Sequence, residues 1–461
     1  MENQQPKEIF ERKFAFFHAS SVSGTAMMIA AIIGSYFSVY LTDTVGIAPT
    51  AVAGLMLAAT FWDAVNDPIM GVVADRTKTR WGRYRPYFIP APVLLTFFAT
   101  LLWFNPGLGK NNIWYYMIIY IGYGMTVTMY TMPQMSVLPA HIKDDQLRNR
   151  VIMLGAGFTA LMFTIGSSYA LSLKSFFENI FGISNGYIPL MLILGLFSCI
   201  SFWGLFAVSK EKYVEPLPER PLTQDLKRIL RHKELTPFIV VWIMASLGYG
   251  LMFATSVFYV MYYLARPDLI ETYMLVVSMG ALVSMVFLLP IVLRIFKTGQ
   301  RALIFSVLSS SLVYAILFFV GKSNFIVLCV LTFVATALAS MQNALVNVLV
   351  NDAIDYIQFT EGISANGVIS SIKGFAQKCG NTVSNSLPLF ILGLVGYVAG
   401  AIGQQNEATL FVLNFMRFAA PIITGGIMLL CLRFNPVEKH YDDIALMKSM
   451  IRDHSEDNHG A

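Results

Sequence analysis

The sequence predicts an all-α membrane protein of twelve transmembrane helices in two six-helix bundles, and three observations carry that expectation. Hydrophobic residues fill 56% of the 461 positions and charged residues only 13%, about half the roughly 25% of a soluble domain. The apolar residues gather into stretches near the ~20-residue length that crosses a hydrocarbon core. The basic residues fall almost entirely between those stretches. Helices are the natural element, because a helix satisfies its own backbone polar groups in lipid, and the alternating strands of a barrel are absent.

Taken in order, the expected spans lie near 14–41, 49–73, 87–104, 113–135, 151–172 and 187–208, then 237–264, 270–293, 302–320, 324–350, 366–395 and 408–432. The first follows a polar start ending in Glu11-Arg12-Lys13 and is too long for the apolar core of a cleaved signal peptide, so the N-terminus is expected to be retained. An even number of spans puts both termini on one side. Loops on that side carry 25 Lys and Arg against 4 in the opposite loops, with Lys373, Lys378 and Arg417 inside spans. Basic residues are held in the cytoplasm, so both termini are expected there, in a multi-pass protein of a bacterial plasma membrane. The net charge of +5 therefore reports topology, not a nucleic-acid partner. Cys199, Cys329, Cys379 and Cys431 stand singly in apolar stretches without pairing or metal-ligand spacing and read as packing residues.

The longest polar stretch, 209–236, contains Pro216, Pro218 and Pro221 and reads as a cytoplasmic linker. It divides an N-terminal bundle, 1–208, from a C-terminal bundle, 237–432, with a cytoplasmic tail over 433–461. The halves share an internal signal. Gly71-Val-Val-Ala-Asp75-Arg76, leading to Arg80-Trp81-Gly82-Arg83, follows the second span, and Arg294-Ile-Phe-Lys297-Thr-Gly299-Gln300-Arg301 follows the eighth. Two repeats about a cavity form the architecture of secondary transporters that rock between two open states. No Walker-type nucleotide motif occurs.

Ionisable residues inside a span are costly and point to function. In Phe61-Trp-Asp63-Ala-Val-Asn66-Asp67-Pro68 two carboxylates four residues apart share a helical face beside an amide. They offer oxygen ligands to a hard cation such as Na⁺, or one of them holds a proton because repulsion and desolvation raise its pKa. A static pairing of these acids with Lys378 or Arg417 is the alternative. Lys373 and Lys378 are five residues apart, roughly 140° around a helix, so at least one is expected to face the cavity. Asn343, Asn347 and Asn351 recur every fourth residue as a polar stripe that lines a sugar path or serves as interhelical glue. Tyr123 and Tyr130 are candidates for stacking on a substrate ring. His18 is of the one residue type whose unperturbed pKa lies near neutrality, but it stands alone near a helix end.

The stretch Phe61-Trp-Asp-Ala-Val-Asn-Asp-Pro-Ile-Met-Gly71, followed by Thr79-Arg-Trp-Gly-Arg-Tyr-Arg-Pro86, resembles the signature of the glycoside-pentoside-hexuronide:cation symporters, a branch of the major facilitator superfamily. Tyr40-Leu-Thr-Asp43-Thr-Val-Gly46, Asn351-Asp-Ala-Ile-Asp355-Tyr356 and Phe375-Ala-Gln-Lys378-Cys-Gly380 agree with it in the right order. The resemblance implies the major facilitator fold, a cation site of Asp63, Asn66, Asp67 and Thr128, and Lys378 between cation and sugar. It places Met27 and Thr131 where the family has sugar-binding carboxylates, Met135 in place of a Trp, Ala156 in place of an Arg, and Lys373 in place of a sugar-contacting Gln. Two lost acids, one lost Arg and one gained Lys make the sugar site more positive. An anionic solute, such as a glucuronide, hexuronide or sulfonated sugar, is therefore expected ahead of a neutral pentoside or glycoside.

The function these residues imply is cation-coupled symport of a sugar by alternating access, with Na⁺ or H⁺, and Li⁺ as a further candidate, and with no other cofactor. Asp75, Arg76 and Arg83 are expected to form cytoplasmic charge pairs with Asp352 and Asp355, and Glu361 adds to that network. A monomer is sufficient, with membrane lipid as its surroundings. An amphiphile or lysolipid transporter is the rival. An enzyme is disfavoured, because the sequence shows no nucleophile or metal cluster.

Overall fold

The computed structural model describes residues 5–109, 112–213, 235–296, 298–320, 322, 324–361 and 366–435. Most of 209–236, the tail from 436, and the side chains of Asp75, Asp355 and Glu361 lie outside the described residues. Every regular element among them is helical, with a single isolated bridge between Thr79 and Gly82.

The helices are α1 (Gln5–Ser20), α2 (Ala26–Val39), α3 (Pro49–Arg76), α4 (Pro90–Leu101), α5 (Asn112–His141), α6 (Asp145–Ser168), α7 (Ala170–Phe181) and α8 (Tyr187–Val208). They continue as α9 (Thr236–Ala254), α10 (Ile270–Val283), α11 (Leu289–Ile295), α12 (Gly299–Val320), α13 (Phe325–Glu361), α14 (Asn366–Leu394), α15 (Glu407–Asn414) and α16 (Ala420–Leu432). Among the described residues, eight helical stretches are long and apolar enough to cross a membrane. The helices α3, α4, α5 and α14 occupy the remaining four expected positions. Of these α4 has only 12 residues, and the other three carry Asp63, Asn66 and Asp67, Thr128 and Thr131, and Lys373 and Lys378.

Local chemistry explains where helices start and bend. Pro49 and Pro90 open α3 and α4, where a missing N–H costs nothing. The Asp144 carboxylate caps α6 by accepting from the Gln146 and Leu147 amides at 2.7 and 3.1 Å. Two wide π-turns, Ser284–Leu288 and Phe415–Ala419, stand just before Pro290 and Pro421. A proline cannot donate to the carbonyl four residues back, and the loosened register widens into a π-turn.

The chain divides into two compact units: unit 1 comprises 1–217, 253–282 and 385–414, and unit 2 comprises 218–252, 283–384 and 415–461. The core of unit 1 includes Phe37, Trp103, Tyr116 and Phe202, all fully buried. Trp103 stacks on Tyr187 with centroids 3.8 Å apart. In unit 2 a cluster of Phe238, Trp242, Leu345, Leu349, Ala353 and Met428 fills the space between α9, α13 and α16. Burying such side chains away from water contributes roughly 1.5–3 kcal/mol each in a soluble core. In lipid the same packing acts through close contact more than through exclusion of water.

Candidate functional site

In unit 1, α3 runs unbroken through Pro68 and carries Asp63, Asn66 and Asp67 one turn apart. It packs along α5, and two residues of α5 meet those acids. The Thr128 hydroxyl donates to Asp67 Oδ1 at 2.8 Å. Gly124, one turn earlier, lies against Asp63: a Cβ built there would stand 2.4 Å from Asp63 Oδ1. Only a residue without a side chain lets that carboxylate lie on the helix backbone. Thr128 and Asn66 are 5% and 6% exposed, so the cluster is shielded. The amide nitrogen of Asn66 is buried without a hydrogen-bond partner among the described residues. Exchanging the amide's N and O would present an oxygen there, which suits a cation ligand. Two carboxylates, an amide and a hydroxyl form an oxygen-rich donor set of the kind that holds a small hard cation.

The four residues expected at the cation site are thus brought together. Gly124 was not among them, although Gly122-Tyr-Gly124 within a span is the signal by which such a close approach is recognisable. Tyr120, one turn before Gly124 on α5, stacks on Phe37 with centroids 5.5 Å apart.

The expected substrate residues are spread along the helices. In unit 1, His18 is 6% exposed and held by Gln134, whose carbonyl lies 3.2 Å from Nε2 and whose side-chain nitrogen lies 3.3 Å from Nδ1. Tyr130 is buried, its ring against Phe202 at 5.0 Å, and Tyr123 is also buried, beside Tyr120. The Thr131 hydroxyl bonds back to the Val127 carbonyl at 2.8 Å. Met27 is half-buried, whereas Met135 and Ala156 are exposed.

In unit 2, Lys373 and Lys378 are both half-buried on α14. Asn343 is fixed by Gln377, which donates to its Oδ1 at 3.2 Å, while Asn347 and Asn351 are exposed. One residue of the asparagine stripe is therefore joined to the lysine-bearing helix, through a glutamine that sequence reasoning passed over. Arg417 is fully buried in its π-turn, 5.2 Å above the Phe418 ring.

Of the expected charge network, Arg76 is exposed and Arg83 half-buried. Asp352 lies beside Gly299 at the start of α12, with Oδ2 3.7 Å from a Cβ built on that glycine. The first repeat's turn has an unforeseen partner. The Glu211 carboxylate accepts from three consecutive backbone amides, those of Arg83, Tyr84 and Arg85, at 2.7, 2.8 and 3.0 Å. Gly82 makes this cradle, with φ +109° and no Cβ to collide with the carboxylate. Successive N–H groups pointing into one concavity form an anion nest.

A family model described as MFS/sugar transport protein matches residues 19–439. An isoprimeverose transporter of Lactiplantibacillus pentosus is 25% identical over 414 residues, covering 88% of this chain and 85% of that one. A glucuronide carrier protein homolog of Escherichia coli is 25% identical over 419 residues, covering 89% of each. Among solved structures, a bacterial homolog of the human lysosomal transporter Spinster superposes with a TM-score of 0.65 at 12% identity, over 93% of this chain and 96% of that one.

Proposed function

The chain belongs to the MFS/sugar transport protein family, transporters of the multi-pass membrane type, and from that premise we propose that it is a cation-coupled sugar symporter working by alternating access. The observation that carries coupling is the α3–α5 cluster, in which Asp63, Asn66, Asp67 and Thr128 converge beside Gly124. Na⁺ or H⁺, with Li⁺ as a further candidate, binds there first and neutralises α3. Sugar affinity then rises, and the loaded protein changes state, because a ligand moves a conformational equilibrium only through differential affinity.

The solute is a sugar or glycoside, and an anionic one by our reading. The sequence places Lys373 and Lys378 on α14, and it has Thr131 and Met27 where the resemblance expects sugar-binding carboxylates. Of the relatives named above, one is an isoprimeverose transporter and the other a glucuronide carrier protein homolog, and the second supports an anionic solute. The termini face the cytoplasm by the distribution of Lys and Arg. The test is the thermal stability of the purified protein with a neutral glycoside and its 6-carboxylate, each in Na⁺ and in choline, because native-state binding stabilises. Stabilisation by the carboxylate, strengthened by Na⁺, is expected. Stabilisation by the neutral sugar alone, indifferent to Na⁺, would remove both the anionic solute and the sodium site.

A further inference from the structure

The segment around Asp43 matches the family pattern but takes no part in the cation cluster. Asp43 follows α2 in the π-turn Tyr40–Thr44 and is a hydrogen-bond hub of unit 1. Its Oδ1 accepts from the Tyr397 hydroxyl at 2.7 Å and from the Thr42 hydroxyl at 2.7 Å, and its Oδ2 accepts from the Tyr262 hydroxyl. The Tyr262 oxygen in turn accepts from the Gly400 amide at 2.9 Å. The two tyrosine rings meet edge to face at 5.1 Å and are 1% and 9% exposed. One carboxylate thus ties the end of the first expected span to the ends of the seventh and eleventh.

Two further ties lie within the same unit. Glu271 at the start of α10 accepts from the Ser172 amide at 2.5 Å and from the Ser172 hydroxyl. The hydroxyls of Ser167 and Ser278 meet at 2.8 Å, fully enclosed. Counting along the spans, Asp43, Tyr262, Tyr397, Ser172 and Glu271 stand at the exit of an odd-numbered span or the entry of an even one, which is the side opposite the termini, and Ser167 and Ser278 lie further in, in the half of their spans nearer that side. Residues from both halves of the sequence are therefore joined at one end, largely through carboxylates and hydroxyls. Such groups are well hydrated once parted, so the net cost of breaking each bond is far below its strength in a dry site. That property suits a closure that must open and re-form in every cycle.

We propose that Asp43, Tyr262 and Tyr397 form a latch that holds shut the mouth opposite the termini, and that their parting admits solute from that side. Their role is positioning: they set the ratio of the two open states without touching solute or cation. The proposal rests on the alternating-access reading, so its test uses neither solute nor cation. Ser168, fully buried beside Ser167, is changed to cysteine as a reporter. A membrane-impermeant maleimide is applied from the side opposite the termini, and the unchanged chain gives the background from its own four cysteines. Met135→Cys, at an exposed position toward the other end of α5, is the control.

Tyr262→Phe with Tyr397→Phe removes two hydrogen bonds to a carboxylate and, at about ten-fold per bond, is expected to raise Ser168→Cys labelling on the order of 100-fold. Labelling at Met135→Cys should not rise. Restoring either tyrosine should recover part of the closure. Unchanged labelling at Ser168→Cys overturns the latch, and so does an equal rise at both reporters, which would mean loosened packing. A protein that shows the latch but no cation-driven uptake would refute the symport reading while leaving the gate in place.

Discussion

Gly124→Ala is the sharpest perturbation of the site, because its effect follows from one distance. The added Cβ would stand 2.4 Å from Asp63 Oδ1, 3.1 Å from its Cγ and 3.2 Å from Oδ2, where real contacts under 3.0 Å are essentially never seen. The nearest oxygen must retreat by at least 0.6 Å, the difference between 3.0 and 2.4 Å. A short side chain cannot swing one oxygen away and keep the other in place, so the whole carboxylate moves. Binding constellations tolerate about 0.5 Å of misplacement, and a 1 Å error can cost on the order of 100-fold. The cation concentration for half-maximal uptake should therefore rise about ten-fold or more. Helix propensity works the other way, since alanine stabilises a helix interior by roughly 0.5–1 kcal/mol relative to glycine. Melting without cation should thus stay level or rise while the cation-induced shift shrinks. The assay is a cation titration of uptake in vesicles paired with melting of the purified protein. Half-saturation within two-fold of the parent would show that Asp63 does not need its place against Gly124.

Other consequences can be checked independently. Thr128→Val removes the hydrogen bond on Asp67 Oδ1 and should weaken cation affinity about ten-fold, the worth of one bond to a charged group; an unaltered titration refutes a ligand-fixing role. Glu211→Ala leaves the Arg83, Tyr84 and Arg85 amides without their acceptor, so hydrogen exchange at those amides should quicken, and unchanged protection would mean the nest is held by other contacts. His141, at the end of α5 beyond the apolar span, is held down to about 4, chiefly by burial and only partly offset by its hydrogen bond with Lys210. Its ring stacks on Phe14 at 3.8 Å, and its Nδ1 lies 3.0 Å from the Lys210 carbonyl, which accepts from the charged ring, and 2.8 Å from the Lys210 amide, which donates to the neutral one. A folded value below the unfolded one means that this stabilisation is present above pH ~6.5 and is lost as pH falls toward 4. Melting temperature should fall across that window, and His141→Gln should flatten the dependence; an equally steep fall in that variant would assign it to other groups.

The helices and the shared face of Asp63 and Asp67 were largely legible because both follow short-range rules. Span length and composition locate the apolar helices, and the i, i+4 spacing of Asp63 and Asp67 fixes their shared face whatever the surroundings. The interactions that hold those residues in place were less legible. Asp43 and Tyr397 are separated by 354 positions and Arg83 and Glu211 by 128, and no periodicity links them. Gln134 and Gln377 escaped notice because a glutamine in a span looks like a minor irregularity until its partner, His18 or Asn343, is in view. The π-turn at Tyr40–Thr44 was equally hidden, since no proline marks it.

Asp67→Asn tests the central claim most directly, with uptake followed in vesicles under an imposed cation gradient and then as exchange at equal cation concentration. The amide keeps the shape and a partner for Thr128 but lacks the charge that attracts the cation. Concentrative uptake should be abolished while downhill exchange of the sugar persists. Retained accumulation in that variant would contradict the account, because the α3–α5 cluster would then not be where the cation gradient is coupled to the sugar.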